Sequence, residues 1–155
     1  MKLKFDSNLD YQIDAISSVI DLFEGLPAKQ GAFEVTLGTD VFMGTQQTEL
    51  GIGHTLNLEP SQILKNLQVI QERNVIPKSR ELVPKGDPYP FPNFSVEMET
   101  GTGKTYVYLR TIFELNRKFG FKKFIIVVPS VAIREGVLAS IDLMRTHFEG
   151  LFDKV

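Results

Sequence analysis

The stretch Met98-Glu99-Thr100-Gly101-Thr102-Gly103-Lys104-Thr105, preceded by Phe94-Ser95-Val96-Glu97 and followed by a long amphipathic run, decides the fold. A glycine turn ending in Gly-Lys-Thr between a strand and a helix is the pattern of a phosphate-cradling P-loop. The chemistry behind it is a demand for many donors around one anion. Gly101 and Gly103 let the backbone curl so that successive amides face a single point. The following helix adds unsatisfied amides and a favourable dipole at its N-terminus. Lys104 is spaced to reach the β- and γ-phosphates of ATP, and the Thr105 hydroxyl to ligate Mg²⁺. The expected nucleotide site is therefore Thr100, Gly101, Thr102, Gly103, Lys104 and Thr105, with Thr105 as the metal ligand. Met98 stands where the usual pattern has its first glycine, and its side chain narrows the loop's possible shapes.

Outward from the loop the pattern is regular. Residues 94 to 98 read as a short strand. Lys104 to Phe119 reads as a helix with Tyr108, Ile112, Leu115 and Phe119 in one stripe. Residues 124 to 128, Phe-Ile-Ile-Val-Val, are apolar, β-branched and short enough for a buried parallel strand. Pro129 breaks that run. Ser130 can cap a helix from Val131 to about Phe148, with Val137, Ile141, Met144 and Phe148 facing inward. Strand, helix, strand, helix predicts a parallel sheet of α/β type.

The front of the chain divides into two parts. Residues 1–25 hold one helix, with a stripe at Leu9, Ile13, Ile16, Ile20 and Phe23, Asn8 as a candidate N-cap and Gly25 as a candidate stop. Residues 26–93 form an insert and connector. It starts with Gly31, Gly38, Gly44, Gly51 and Gly53 among Thr and Gln, where Phe33-Glu34-Val35-Thr36-Leu37 could pair as a hairpin. A helix follows, with Pro60 near its first turn and Ile63, Leu67 and Ile70 on one face. Pro77, Pro84, Pro88, Pro90 and Pro92 then predict an extended connector. Residues 94–155 are the P-loop unit.

The composition excludes several classes. The chain has 155 residues, enough to bury a core without covalent staples. It has no cysteine, so neither a disulfide nor a thiolate metal site is possible. His54 and His147 have no metal-ligand spacing and read as a loop and a helix-end residue. A net charge of -2 gives no global basic field, so any nucleic-acid contact needs a local patch. No apolar run reaches a membrane span and no signal peptide opens the chain. These features predict a cytoplasmic protein with no membrane partner.

Thr100-Gly101-Thr102-Gly103-Lys104-Thr105 after an apolar strand resembles motif I of superfamily 2 helicases and translocases. Leu9-Asp10-Tyr11-Gln12 resembles their segment in which a glutamine reads the adenine edge, which makes Gln12 a further candidate nucleotide contact. Val127-Val128-Pro129-Ser130 resembles their motif Ia, which implies phosphate contacts to nucleic acid by Pro129 and Ser130. Arg134, close behind, is the better cationic candidate than Arg117, Lys118, Lys122 and Lys123, which read as a solvated helix end. Over nearly the whole chain the sequence is similar to the restriction (Res) subunit of type III restriction-modification systems. That resemblance implies an incomplete P-loop NTPase motor lobe of RecA type, with an N-terminal helix and a Gly/Thr-rich insert. It implies ATP with Mg²⁺, a catalytic role for Lys104, and ATP hydrolysis that drives translocation on double-stranded DNA and cleavage. The implied partners are DNA, a methyltransferase subunit, and the remainder of the motor and nuclease domains.

Hydrolysis needs more than a cradle. The resembled family places an Asp-Glu pair at the end of a later strand, and no such pair follows an apolar strand here; the run before Asp142 has helical spacing. The expectation is a piece of a larger motor that is inactive alone. Two other readings stay open: an inert P-loop module acting in assembly, and another P-loop NTPase or kinase.

Overall fold

The computed structural model describes residues 6–27, 56–83, 88 and 91–152. The expected hairpin at 33 to 37, the insert glycines, His54, Pro84 and Pro90 lie outside those residues. The described chain forms α1 (Asp10–Asp21), α2 (Pro60–Arg73), α3 (Lys104–Phe119) and α4 (Val131–Leu151).

α3 is the centre, and both its limits follow from glycine. Gly103 at its N-cap (φ 85°) and Gly120 at its C-cap (φ 77°) hold left-handed backbone that a Cβ disfavours. α4 packs on one side of α3 through Tyr106, Leu109, Met144, Phe148 and Phe152, all buried. Tyr106 stacks on Phe148 at 5.5 Å between ring centroids, and Phe113 lies 4.9 Å from Phe148 and 5.2 Å from Phe152. Each such buried side chain contributes about 1.5–3 kcal/mol, so this seam supplies much of the core. Ser130 caps α4 as expected, its Oγ accepting from the Ile133 amide at 3.3 Å. The helix runs beyond Phe148 to Leu151, with Met144 and Phe148 buried and Ile141 packed against them.

α1 lies along α3 in the same sense. Its start meets the P-loop through Gln12, and its end meets the end of α3 through Phe23 against Phe119 (6.2 Å) and Glu24 paired with Lys118 (2.8 Å). The expected stripe is only partly buried. Ile16 and Leu22 are in the core, whereas Ile13 is exposed. The cap also differs from expectation. Leu9 occupies the N-cap with no side-chain cap bond, and the Asn8 amide donates to Asp6 Oδ1 at 2.9 Å. The helix stops at Asp21, and Gly25 (φ 100°) closes the turn after it.

α2 begins with Pro60, buries Ile63 and Ile70, and is tied to α1 by an Arg73–Asp21 pair at 2.8 Å. Asn66 Nδ2 donates to the carbonyls of Leu22 and Glu24. α2 ends through Val75, which has φ 58°, while the Ile76 amide bonds back to the Gln71 carbonyl at 2.8 Å.

The two expected strands are not paired. Among the described residues, 94 to 98 and 124 to 128 belong to no strand ladder. Both line one apolar groove of about 410 Å³ on α3, with Val96 and residues Phe124, Ile125, Ile126 and Val127 around Val107, Tyr108, Thr111 and Ile112. Ile125 and Val127 are 91% and 86% exposed. A lone strand has no donors or acceptors opposite it, so an apolar β-branched segment without neighbours forms no ladder.

Candidate functional site

The site is the turn that joins residues 94 to 98 to α3. Gly101 (φ 82°) and Gly103 (φ 85°) supply its left-handed corners. Glu99 sits at the base, and its carbonyl accepts two bonds, from Thr102 Oγ1 at 2.6 Å and from Lys104 Nζ at 2.7 Å. The loop thus holds its lysine folded onto its own backbone. An incoming phosphate must offer Lys104 a better acceptor than that carbonyl, and an anionic oxygen does so because charge-assisted bonds are stronger.

The first-turn amides of α3 have no acceptors within the helix, as at any helix N-terminus, and Gly103 provides no capping side chain. Donor density, the helix dipole and the Lys104 cation therefore converge at one place, and these residues fit a nucleotide's phosphates. Thr105 is half-buried in the first turn of α3, and Thr100 and Gly101 are exposed. Met98, at the position of the usual first glycine, lines an open depression of about 280 Å³ together with Glu97 and Glu99.

Gln12 is brought to the same loop. It is 6% exposed, and its Nε2 donates to the Thr102 carbonyl at 2.8 Å. A Cβ added to Gly103 would lie 2.6 Å from that nitrogen. Sequence reasoning had no signal for this contact, which spans 90 residues of chain, nor for the Glu99 carbonyl, which any residue type would provide.

Pro129, Ser130 and Arg134 lie together at the start of α4 and are exposed. Ser130 is engaged as the cap, and Arg134 pairs with its neighbour Glu135 at 2.6 Å. Of the other basic cluster, Arg117 pairs with Glu114 at 2.6 Å and Lys118 with Glu24. Asp142 pairs with Arg145 at 2.6 Å.

A polar cluster that sequence reasoning missed joins α3 to α4. Tyr106 Oη lies 3.1 Å from His147 Nε2, and Arg110 Nη1 is 3.4 Å from the same hydroxyl. Arg110 Nη1 also donates to the Ser7 carbonyl, and Arg110 faces Glu114 at 3.9 Å. Burial, then the Arg110 charge, push the His147 imidazole below its ordinary value. Among the described residues no group of histidines and carboxylates could hold a metal ion by itself, and no helix is long and apolar enough to cross a membrane.

Comparison with known proteins adds to this geometry. The family described as "Type III restriction enzyme, res subunit" matches residues 7–150. The chain is 32% identical over 152 residues to the type III restriction-modification enzyme EcoPI Res subunit of Escherichia phage P1, covering 97% of this chain and 14% of that protein. It is 39% identical over 95 residues to the EcoP15I Res subunit of Escherichia coli, covering 60% of this chain and 9% of that one. Against the StyLTI Res subunit of Salmonella typhimurium it is 51% identical over 63 residues, 39% of this chain and 6% of that protein. The chain therefore corresponds to about one seventh of the EcoPI subunit's length.

Proposed function

The chain belongs to the type III restriction enzyme res-subunit family, and from that premise we propose that it is the ATP-binding part of an ATP-dependent DNA translocase lobe. The observation that carries this reading is the loop itself: two left-handed glycines, a lysine that bonds a backbone carbonyl of the loop, and an uncapped helix N-terminus at one point. Thr100 to Thr105 bind the triphosphate, Lys104 neutralises charge on its outer phosphates, and Thr105 ligates the Mg²⁺ that travels with it. Bound Mg²⁺ would supply charge neutralisation at the β- and γ-oxygens.

The lobe is a P-loop helicase-type unit. Its parallel sheet forms when further strands pair with residues 94 to 98 and 124 to 128, and the apolar groove they line supports that completion. Pro129, Ser130 and Arg134 approach a DNA phosphate from the start of α4, and Arg134 exchanges Glu135 for it. The lobe works with the rest of a motor, a nuclease domain and a methyltransferase subunit, as the family relationship suggests. Alone, without an Asp-Glu pair to hold the metal's water shell, the chain binds nucleotide and turns it over negligibly.

The test is anisotropy of a fluorescent ATP analogue on the purified chain, with Mg²⁺, with and without duplex DNA. A translocase lobe gives binding that DNA tightens. Binding that DNA leaves unchanged would move the reading to another P-loop NTPase, and no binding would move it to an assembly module.

A further inference from the structure

We infer that the groove between residues 94–98 and 124–128 takes a second copy of this chain, which lays its own residues 124–128 there as an antiparallel strand and receives the same strand in return. The inference is independent of the nucleotide reading above.

Exposure alternates along the segment. Phe124 is 36% exposed, Ile125 91%, Ile126 41% and Val127 86%. That period of two is the mark of extended backbone with one row of side chains turned to α3. Among the described residues neither 94–98 nor 124–128 belongs to a strand ladder, and no backbone bond ties either segment to another. Two extended edges that need partners therefore border one apolar groove of about 410 Å³.

The occupant follows from complementarity. Antiparallel pairing of 124–128 with the same segment of a second copy has its two-fold axis at Ile126. It sets Phe124 against Val128 and Ile125 against Val127, and each contact recurs across the axis, as an isologous interface requires. The axis is normal to the strands, so both copies of α3 cover the same face of the pair. The far edge of the inserted strand then meets residues 94–98. Matching Val96 to Ile126, which line the groove together, sets Phe94 against Val128 and Met98 against Phe124. The same register sets Glu99 against Lys123. Among the described residues neither of these two side chains has an ion-pair partner within the chain. The result is four strands on two helices, a size at which a sheet is stable, whereas two separate edges in one copy are not. A net charge of -2 per copy is too small to hold the two apart.

The experiment is sedimentation velocity of the 155-residue chain over a range of concentrations, followed by disulfide trapping. The chain has no cysteine, so each introduced thiol is unique. A monomer–dimer equilibrium is expected. Ile126→Cys lies on the axis, where opposed Cα atoms stand about 4.5–5.5 Å apart, within disulfide reach. Oxygen with a copper catalyst should turn its dimer into a covalent one. Phe124→Cys is four residues from its counterpart along the strands, about 13 Å, and should not cross-link. Lys123→Glu meets Glu99 with like charge at two places and should weaken the dimer about 2- to 30-fold, and Glu99→Lys added to it should restore the affinity. A monomer at every concentration would overturn the inference. So would a dimer that Ile126→Cys fails to trap, one that Phe124→Cys traps as readily, or one that Lys123→Glu leaves as tight as before.

Discussion

Tyr106 on α3 and His147 on α4 meet with hydroxyl oxygen and Nε2 3.1 Å apart, at the edge of the aromatic seam that joins the two helices. Burial and the nearby Arg110 guanidinium both disfavour the imidazolium there. The folded chain thus binds fewer protons at this site than the unfolded chain. Stability is full above the ordinary histidine value of about 6.5 and declines as pH falls below it, until the folded-state value is passed. Urea denaturation midpoints measured between pH 7.5 and 5 should fall with pH, and His147→Gln should flatten that fall. Equal slopes for both proteins would assign the pH dependence to other groups.

The two loop glycines should differ in their tolerance of alanine. Both have positive φ, so each substitution costs about 1–2 kcal/mol in backbone strain. At Gly101 nothing lies within 4 Å of the new Cβ, whereas at Gly103 it meets Gln12 Nε2 at 2.6 Å. Gln12 Nε2 can swing away only by giving up its bond to the Thr102 carbonyl, so thermal unfolding should show Gly103→Ala as the more destabilised variant by about 0.5–1.5 kcal/mol. Equal losses would mean that Gln12 moves aside freely.

Val75 ends α2 in left-handed backbone, a conformation that is rare for a β-branched residue, and it is 93% exposed. It makes little contact that glycine would forfeit. Val75→Gly should raise stability by about 1 kcal/mol, the strain of that conformation, visible as a higher denaturation midpoint. A lower midpoint would show that the valine packs in solution.

Ile125 and Val127 are exposed in a segment with no strand partner among the described residues. Replacing both with serine should change the stability of the isolated chain by less than about 0.5 kcal/mol each, as at other surface sites, and should reduce self-association. In a protein that supplies the neighbouring strands the same change should cost about 1–3 kcal/mol per residue, because both faces of a parallel sheet are buried. A large loss in the isolated chain would mean that the segment is already covered.

α3 is legible from residues alone because its punctuation is chemical: Gly103 and Gly120 bracket a run of helical period, and the observed limits coincide with them. Ser130 likewise marks the start of α4. The start of α1 is not legible, because Asn8 is a good cap by type yet its amide turns to Asp6. The sheet is legible as two apolar segments but not as pairing, since a strand's partners are set by distant chain. Gln12 shows the same limit within a site. A polar residue four positions before Ile16 shares that residue's buried face, which marks it as inward, but no spacing rule says that its partner is the carbonyl of Thr102. The loop's own residues were readable because their chemistry is local.

The most direct test of the nucleotide site is calorimetric titration of Mg-ATP into the purified chain beside Lys104→Ala. Lys104 is exposed and among the described residues bonds the Glu99 carbonyl, so its loss should leave stability within about 0.5 kcal/mol while removing a charge-assisted contact of about 1.5–3 kcal/mol. Saturable heat in the wild type that weakens at least about 10-fold in the variant is the predicted result. A well-folded wild-type chain that gives no heat, or a variant that binds as tightly as the wild type, would contradict it.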